Sequence, residues 1–432
     1  MNPLFIKQLK EVVDWAIEED MYVIVCGPLN EGLETDELFK KKVEESVQYA
    51  AYDVSEGYKK KSEELLKAIW KQYAEAFNNS YDEHLIFETL NEPLDNFHEH
   101  SWAPKSDCTV CKKDYAIMNE YNQLIVDTIR ATGGNNAKRF IMVEGLAGKW
   151  ECFTNKFYKM PKDKIKDRLI PTMHFYPMGS VSSYLCNFYT DSIKQSVKES
   201  FDAMDKVYFS KHIPVYISET SHSRFIPILE RIAAIKGFMS EVTKSNRSCA
   251  VTLHANNDVD GSNDFFGYLD EWNFKWFDTE YLDTLIYAAE GKEYPLSAEF
   301  LKNNETKVES IVGKNLINEP FDTKKWGANY KINSDTFVRS VPESYKLEFV
   351  IKKTGSSPII MITWSDENYQ WHKIPGTAKK IKGGTLADGN VRPSKTTFTV
   401  EIDSETAKTI EDSNGLYLMG QDVIIQSMTV VE

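Results

Sequence analysis

Short apolar runs alternate with longer amphipathic segments over the first 290 residues of the chain. Six apolar runs predict buried β-strands, at Met21–Cys26, His84–Leu90, Arg139–Val143, Arg168–Phe175, Ile213–Ser218 and Cys249–His254. Apolar residues spaced three or four positions apart predict helices between them, at Phe5–Glu18, Ser62–Phe77 and Tyr115–Arg130. This alternation predicts a parallel sheet covered by helices.

The pattern changes after about Glu290, where a polar stretch is followed by short runs that alternate between apolar and polar residues. Such alternation predicts half-buried antiparallel strands, at Tyr345–Ile351, Ile359–Trp364, Thr396–Ile402 and Val423–Val430. The sequence therefore predicts two domains, an α/β domain over residues 1–298 and a small all-β sandwich over residues 305–432.

Composition and charge narrow the range of partners. The 432 residues are 42% hydrophobic and carry a net charge of −14, which disfavours nucleic acid and anionic membranes as partners but allows a neutral polysaccharide. No stretch approaches the roughly 18 apolar residues of a membrane span, and the N-terminus as it stands shows no secretion signal. We expect a monomer and leave its location open.

Two glutamates occupy the ends of predicted strands. Glu92 follows the second strand within Asn91-Glu92-Pro93, and Glu219 ends the fifth; His174 and Tyr176 lie at the end of the fourth. Barrel enzymes keep their reacting groups at the carboxyl ends of the strands, and paired carboxyl groups there are typical of glycosidases. A strand-end glutamate can also cap a helix, and a lone histidine can be an ordinary hydrogen-bonded group.

Several motifs, in order, resemble glycoside hydrolase family 5, the endoglucanase type, with the pattern of its subfamily 4. The stretch Leu85–Pro93 resembles the strand that carries the family's acid/base, and Ala131–Phe140 resembles the approach to the next strand. Thr172–Tyr176 resembles its His-x-Tyr strand, Ile213–Glu219 its nucleophile strand, and Phe266–Asp270 the segment before its last barrel helix. The resemblance implies a (β/α)8 TIM-barrel type fold over residues 1–298.

The resemblance also implies roles for individual residues. Glu92 would be the acid/base and Glu219 the nucleophile of a retaining reaction. Asn91 would hydrogen-bond the sugar 2-hydroxyl, His174 would lie beside the acid/base, and Tyr176 would orient the nucleophile. His254 falls near the position of the family's sugar-stacking tryptophan and is expected to contact substrate. The chemistry requires no metal and no organic cofactor.

The chain departs from the family pattern in three places. Its first predicted strand matches the family's third, so the first two barrel strands and the active-site arginine of the second have no counterpart. Cys26-Gly27 stands where the family usually has paired histidines, and His254 or Ala255 replaces the tryptophan. Three explanations stay open: a fragment of a longer enzyme, a degenerate homologue that keeps a sugar cleft, or a divergent enzyme with an incomplete barrel.

The C-terminal part, about residues 305–432, weakly resembles the β-sandwich modules that follow polysaccharide hydrolases, notably in Asn414–Asp422 and Trp364–Ile374. We expect Trp364 to be a core residue, because it lies on an alternating strand, and Tyr369 and Trp371 to be possible sugar contacts. Cys108 and Cys111 have the spacing of a metal knuckle or a redox pair, but no second such pair follows. The spacing alone favours a loop disulfide or two unpaired thiols over zinc.

The sequence thus predicts an endo-β-1,4-glucanase-type hydrolase of plant cell-wall β-glycans, acting on β-glucan, xyloglucan or mannan. The alternative is a catalytically impaired homologue or fragment that only binds glycans. Secretion is expected from the family, although this chain shows no signal peptide.

Overall fold

The computed structural model describes residues 3–27, 52–179, 187–255, 266–270, 272–365, 371–374, 381–387 and 389–432. The chain divides into two compact units: Met1–Pro177, Gln195–His222 and Ile235–Tyr294 form the first, and Met178–Lys194, Ser223–Ala234 and Pro295–Glu432 form the second. Among the described residues, no helix combines the length and apolarity that a membrane crossing requires.

Six parallel strands form the sheet of the first unit, in the order in which they occur along the chain. They are β1 (Val23–Cys26), β2 (Leu85–Glu88), β3 (Ile141–Lys149), β4 (Leu169–His174), β5 (Val215–Thr220) and β6 (Cys249–Leu253). All six predicted strands are therefore confirmed, as is the incomplete barrel. The described part of the sheet is half of a barrel, open between β1 and β6.

Helices follow the strands, as the alternation predicted. They are α1 (Pro3–Glu18), α2 (Lys59–Ala76), α3 (Thr109–Ala131), α4 (Trp150–Phe153), α5 (Asp191–Val207) and α6 (Ile228–Val242). The apolar faces of α2 and α3 are buried, with Leu66 and Trp70 on the first helix and Tyr121 and Ile125 on the second. Strand β2 is buried at every position, as a parallel strand covered on both faces must be.

Arg139 holds the beginning of strand β2 in place. Its buried guanidinium donates to the backbone oxygens of Leu85 at 2.8 Å and Asp82 at 3.1 Å, and to those of Phe77 and Tyr81 at 3.2 Å each. A fifth hydrogen bond, 2.7 Å long, reaches Oδ1 of Asn136. One side chain therefore holds the end of α2 and the beginning of β2, the strand that leads to Asn91-Glu92-Pro93.

Strand β3 runs further than predicted. The predicted run ends at Val143, but the strand continues to Lys149, and its register against β4 shifts between Glu144 and Lys149. Ala147 and Gly148 lie within that shift, with φ of 55° and 62°. These left-handed residues form a bulge, and an irregularity of this kind cannot be detected from apolar periodicity.

The rest of the first unit is short. It contains the antiparallel pair β7 (Leu269–Asp270) and β8 (Lys275–Trp276), followed by α7 (Thr279–Ala289). Helix α8 (Ala298–Asn303) begins the C-terminal region, where the Ser297 hydroxyl accepts a hydrogen bond from the Phe300 amide and so caps that helix.

The C-terminal unit is built on two antiparallel sheets around one apolar core. The strands are β9 (Phe321–Asp322), β10 (Tyr330–Ile332), β11 (Tyr345–Lys353), β12 (Ile359–Ser365), β13 (Trp371–Lys373), β14 (Ile381–Lys382), β15 (Gly384–Ala387), β16 (Asn390–Pro393), β17 (Thr397–Ile402), β18 (Leu416–Gln421) and β19 (Val423–Val431). Helix α9 (Ser404–Glu411) connects β17 to β18. The four predicted strands of this region are confirmed.

The sheets of this unit follow the predicted alternation. The orders are β10-β18-β12-β16-β15, with β13 beside β12, and β14-β17-β11-β19-β9. Along β11, Leu347 and Phe349 are buried and Lys346 is exposed, and Phe349 stacks on Phe398 of β17 with ring centroids 4.9 Å apart. The period of two places one face of each strand in the core.

Two short segments that precede residue 295 belong to this same unit and are held by polar contacts. The Asn187 backbone and side-chain nitrogens donate to Oδ2 of Asp335 at 3.1 and 2.8 Å. Glu230 accepts from Arg339 Nη1 at 2.5 Å and from the Tyr189 amide at 2.8 Å. The second unit is therefore discontinuous along the chain.

The prediction that Trp364 belongs to the sandwich core is wrong. Its ring is only half-buried and stacks on His372, 4.3 Å away, because the two residues face each other on the paired strands β12 and β13. Trp371 is 49% exposed and contacts the ring of Tyr417 at 4.3 Å. Tyr369 lies outside the described residues.

Candidate active site

Five consecutive strands of the first unit each bring a polar side chain to the same end of the sheet. Glu92 follows β2, Glu144 lies on β3, His174 ends β4, Glu219 lies near the end of β5, and His254 follows β6. The strands are parallel neighbours, so their carboxyl ends meet at one edge of the sheet. The sequence predicted four of these five residues; Glu144 was missed.

Glu92 is placed by its backbone. Its φ of 45° lies in the left-handed region, which costs a residue other than glycine about 1 kcal/mol or more. Its amide donates a 2.6 Å hydrogen bond to Oε2 of Glu144. On either side, the Asn91 carbonyl accepts from the Tyr52 hydroxyl at 2.9 Å and the Pro93 carbonyl accepts from the Ala147 amide at 2.9 Å.

His174 lies between the two predicted catalytic carboxyl groups. Its Nδ1 is 2.9 Å from Oε1 of Glu92 and 3.3 Å from Oε2 of Glu219. A carboxylate oxygen of Glu92 and one of Glu219 lie within 4.8 Å of each other. His174 itself is buried, whereas both glutamates are partly exposed. Both carboxyl groups are therefore accessible to a ligand, while the imidazole that contacts them is buried.

Glu219 is surrounded by hydrogen-bond donors. The Tyr176 hydroxyl donates to its Oε2 at 2.6 Å, and Nδ1 of His254 lies 3.3 Å from the same oxygen. Burial acts to raise the pKa of this carboxyl, but His254, the charge of His174 and Tyr176 outweigh it and hold the pKa below its ordinary value. Glu219 is therefore ionised at neutral pH.

His174 carries the balancing positive charge. Burial disfavours the imidazolium, but the surrounding carboxyl groups of Glu144, Glu92 and Glu219 outweigh it and raise the pKa of His174 to about 10. Burial raises the pKa of Glu144 well above its ordinary value and also raises that of Glu88. The cluster thus holds a protonated histidine together with carboxyl groups that differ in their affinity for a proton.

Gly148 packs directly against this cluster. A Cβ atom at this position would lie 2.8 Å from Oε1 of Glu144, 3.2 Å from Cγ of Glu92 and 3.3 Å from Cγ of His174. The left-handed φ of 62° also favours glycine. The bulge of β3 therefore brings the backbone of Gly148 against the carboxyl groups, and a larger residue there would displace the carboxyl group of Glu144.

A polar layer lies beneath these residues. The buried hydroxyl of Thr172 donates to Oε1 of Glu88 at 3.1 Å and contacts Oγ of Ser218 at 2.9 Å. The Cys26 thiol lies 3.8 Å from the Leu90 carbonyl, and burial raises its pKa well above the ordinary value. A strand-end thiol with this pKa is neutral, so Cys26 adds no charge where the family usually has histidines.

The signal that could have identified Glu88 and Glu144 is their place within apolar runs. Both lie on strands that are otherwise fully apolar, at Leu85–Glu88 and in Ile141–Leu146. A carboxyl group in such a run must be buried, and buried carboxyl groups near a cleft are candidates for function.

The aromatic surroundings of the site come from β4, β6 and the segment after it. Tyr176 stacks on Phe266 with centroids 5.5 Å apart, and the His254 ring contacts Phe266 edge-on at 5.6 Å. In the described part of the chain, the ion-pair partners of Glu219 are His174 and His254, where the family pattern has an arginine beside the nucleophile.

A parallel α/β sheet with two glutamates facing each other across its strand ends is the arrangement of a (β/α)-barrel glycosidase. The sequence profile of the cellulase family, glycosyl hydrolase family 5, matches residues 1–259, which is more than half of the chain. The chain belongs to this family, and the resemblance drawn from its motifs is confirmed.

Individual proteins similar to this chain support the same family assignment. Endoglucanase B of Ruminococcus albus is 27% identical over 291 residues, which cover 67% of this chain and 64% of that enzyme. The chain therefore spans less than two thirds of the length of this relative. A GH5 family lichenase from Caldicellulosiruptor sp. F32 superposes with a TM-score of 0.59 at 26% identity, covering 67% of this chain and 75% of the lichenase.

A third comparison includes a bound sugar. The GH5-4 broad specificity endoglucanase from Ruminococcus champanellensis, whose structure contains cellotriose, superposes with a TM-score of 0.55 at 26% identity. The match covers 66% of this chain and 76% of that one.

Proposed function

We propose that this protein is a retaining endo-β-1,4-glucanase that uses Glu92 and Glu219 as its catalytic pair. The observation that carries the proposal is the separation of the two carboxyl groups, which have oxygens within 4.8 Å of each other. Retaining glycosidases separate their carboxyl groups by about 5 Å, whereas inverting enzymes need about 6.5–9.5 Å to admit a water molecule.

Glu219 is the nucleophile. Its lowered pKa keeps it ionised, and its carboxylate attacks the anomeric carbon while the bond to the leaving oxygen breaks. The Tyr176 hydroxyl, 2.6 Å from Oε2, orients the carboxylate for this attack. His254 assists by hydrogen-bonding the same oxygen, in the position where the family pattern has an aromatic platform.

Glu92 is the acid/base. The 2.9 Å contact with Nδ1 of His174 holds its carboxyl group in position. In its protonated form Glu92 gives its proton to the leaving oxygen as that bond breaks, and the resulting carboxylate then removes a proton from the water molecule that releases the sugar from Glu219. Asn91 is adjacent and would bind the sugar 2-hydroxyl.

The substrate is a plant cell-wall β-glycan, with β-1,4-glucan first and xyloglucan or mannan as further candidates. The relatives' names support this class: endoglucanases and a lichenase, one of them with cellotriose bound. In the C-terminal unit, the exposed Trp371 ring beside Tyr417 offers a flat apolar surface for a sugar, as carbohydrate-binding modules do.

One observation favours a second candidate, a protein that binds glycans without cleaving them. In the described residues the sheet has six strands, and the ion-pair partners of Glu219 are two histidines, with no arginine among them. Loss of a positioning arginine can cost about two or three orders of magnitude in rate. The experiment below separates the two candidates.

The test is release of reducing sugar from carboxymethylcellulose, xyloglucan and glucomannan by the purified chain. Glu219→Ala and Glu92→Ala are expected to lower the rate at least a thousandfold. On an activated β-cellobioside, azide should rescue both variants with opposite anomers: α-glycosyl azide from Glu219→Ala, since azide attacks directly, and β-glycosyl azide from Glu92→Ala, since azide attacks the glycosyl enzyme.

Glu299→Gln, an exposed residue of α8, is the matched control and should keep wild-type activity. A folded wild type that releases no sugar but is retarded in gels containing these glycans would replace the hydrolase proposal with the binding one. Activity that survives in Glu219→Ala without azide would remove Glu219 from the mechanism.

A further inference from the structure

Four metal-ligand side chains meet in a second cluster of the first unit, formed by the loop after β2 and the start of α3. They are His98, His100, Cys108 and Cys111, and one ligand atom from each lies within 4.8 Å of all the others. The sequence pattern indicated only the two cysteines. The fold adds two histidines from the preceding loop, which completes a set of two nitrogens and two sulfurs.

The spacing of these atoms fits one tetrahedral ion. Nε2 of His98 is 3.3 Å from Sγ of Cys108, and Nδ1 of His100 is 3.7 Å from Sγ of Cys111. Bonds of about 2.3 Å to sulfur and 2.0–2.1 Å to nitrogen at tetrahedral angles separate neighbouring ligand atoms by about 3.3–3.8 Å. We propose that His98, His100, Cys108 and Cys111 bind a structural zinc ion.

The local backbone explains how the four side chains converge. The Cys108 amide donates to the Lys105 carbonyl at 3.2 Å, which forms a turn, and Cys108 is then the N-cap of α3. Cys111 lies in the first turn of that helix, so both thiols project from the same end. The His98 and His100 carbonyls accept from the amides of Ser101 and Ala103 at 3.1 and 3.0 Å, which folds the histidine loop back.

Surrounding groups support thiolate and imidazole ligands. The Lys105 amide donates to Sγ of Cys111 at 3.4 Å, a backbone hydrogen bond of the kind that supports a ligating sulfur. Oε1 of Glu99 is 3.7 Å from Nε2 of His100, the nitrogen that faces away from the sulfurs. A carboxylate near the distal nitrogen of a ligating histidine is a common outer partner in zinc sites.

The donor set selects the metal and its role. Thiolate with imidazole in tetrahedral array favours zinc over magnesium or calcium, which prefer oxygen ligands. Four protein ligands leave no open position, so the ion would be structural and take no part in sugar chemistry. It would tie the loop after Asn91-Glu92-Pro93 to α3, whose Asn122 donates to the Glu144 carbonyl at 2.9 Å.

The competing arrangement is a disulfide between Cys108 and Cys111. Both are free thiols in the structure, and a disulfide would remove two of the four ligands. The two arrangements differ in metal content and by two hydrogen atoms in mass, so one preparation of the full chain distinguishes them.

The test incubates the full chain with Zn²⁺ alone, removes unbound metal and measures zinc by elemental mass spectrometry. About one zinc per chain is expected, with at least a tenfold loss in Cys108→Ser/Cys111→Ser and in His98→Ala/His100→Ala. Cys249→Ser, a partly buried thiol on β6, is the matched control and should keep its zinc. Co²⁺ alone should give thiolate-to-metal charge-transfer and tetrahedral ligand-field bands in the wild type.

A chelator provides a check that does not depend on variants folding. Removing zinc from the wild type should lower its Tm, and added Zn²⁺ should restore it. A folded wild type that retains no zinc after incubation, or a native mass two hydrogens lighter with both thiols resistant to alkylation, would overturn the proposal.

Discussion

The Tyr176 hydroxyl donates a 2.6 Å hydrogen bond to Oε2 of Glu219, and the tyrosine ring stacks on Phe266. The two contacts have separate functions. The stacking holds the ring in place, and the hydroxyl stabilises the negative charge on Glu219. Removal of the oxygen alone should therefore change the chemistry of the carboxylate and leave the packing intact.

Tyr176→Phe is expected to lower kcat about 10- to 100-fold, since a hydrogen bond to a charged group contributes about 1.5–3 kcal/mol. The variant should also raise the pKa of Glu219, because a donor that stabilises its ionised form is lost. The acid limb of the pH–rate profile should then shift to higher pH. Tyr216→Phe, whose hydroxyl contacts Oγ1 of Thr252 at 2.8 Å on an exposed surface, should change neither quantity. An unshifted acid limb in Tyr176→Phe would contradict the assignment of Glu219 to that limb.

Gly148→Ala should lower stability by about 2–4 kcal/mol and abolish activity. A left-handed φ costs alanine about 1 kcal/mol, and the new methyl group would overlap Glu144 and press on Glu92 and His174. Gly291→Ala isolates the backbone term, since its φ of 70° is similar but no atom lies within 4 Å of the added Cβ. Denaturant unfolding of both variants tests this difference; equal losses would mean that the cluster moves to accommodate the methyl group.

His174 should make stability depend on pH. Because its folded pKa, about 10, lies above its unfolded value of about 6.5, its stabilising effect is complete below pH 6.5 and is lost as the pH rises toward 10. His174→Gln should therefore be less stable than the wild type by about 2–4 kcal/mol near pH 6, with a smaller difference near pH 10. His84→Gln is the control, because the imidazole of His84 is partly exposed and solvent screens its contact with Asp82, and it should show a much smaller dependence. A pH-independent difference for His174→Gln would place the imidazole in its neutral form.

Arg139→Lys should lower the free energy of unfolding by about 2–4 kcal/mol. Lysine has three donors on one atom and cannot reach the five acceptors of the guanidinium, so buried carbonyls would lose their partners. Arg168→Lys is the control, because its ion pair with the exposed Glu83 is near the surface and should contribute less than about 1 kcal/mol. Urea titration of both variants measures the contrast, and similar small losses would show that water replaces the missing donors at Arg139.

The strands and helices of both units could be predicted from the sequence because each has a clear apolar period. Strand β2 is apolar up to its last residue, Glu88, and β11 alternates between buried and more exposed positions as far as Lys352, so their types and positions were correct. The bulge of β3 could not be predicted, because it depends on left-handed backbone at Ala147 and Gly148 and on the register against β4. Periodicity carries no information about either.

The proximity of the candidate site residues could be predicted, because each lies at the carboxyl end of a strand and parallel strands bring these ends together. The protonation states of these residues could not be predicted from the sequence. Whether Glu144 is protonated depends on burial, and whether His174 is charged depends on the carboxyl groups around it. The second cluster could not be predicted from the sequence either, because His98 and His100 approach Cys108 and Cys111 only through the turn of the loop. Trp364 was misplaced because a cross-strand histidine provides the contact that the core was expected to provide.

Strands β2 to β6 each contribute one polar side chain to the candidate site, so these five strands are the part of the sheet that the proposed chemistry requires. Neighbouring strands lie about 4.8 Å apart, so the separation of two site residues along the sheet edge depends on how many strands lie between them, and the curvature of the sheet brings their side chains together. A segment added or removed outside strands β2 to β6 would change the stability of the protein, but it would not change the spacing of the site residues. Insertion or loss of a strand between β2 and β5 would change the separation of the backbones that carry Glu92 and Glu219 by a whole strand spacing. Variation during evolution, or in engineered versions of this chain, is therefore tolerated best outside the run from β2 to β6.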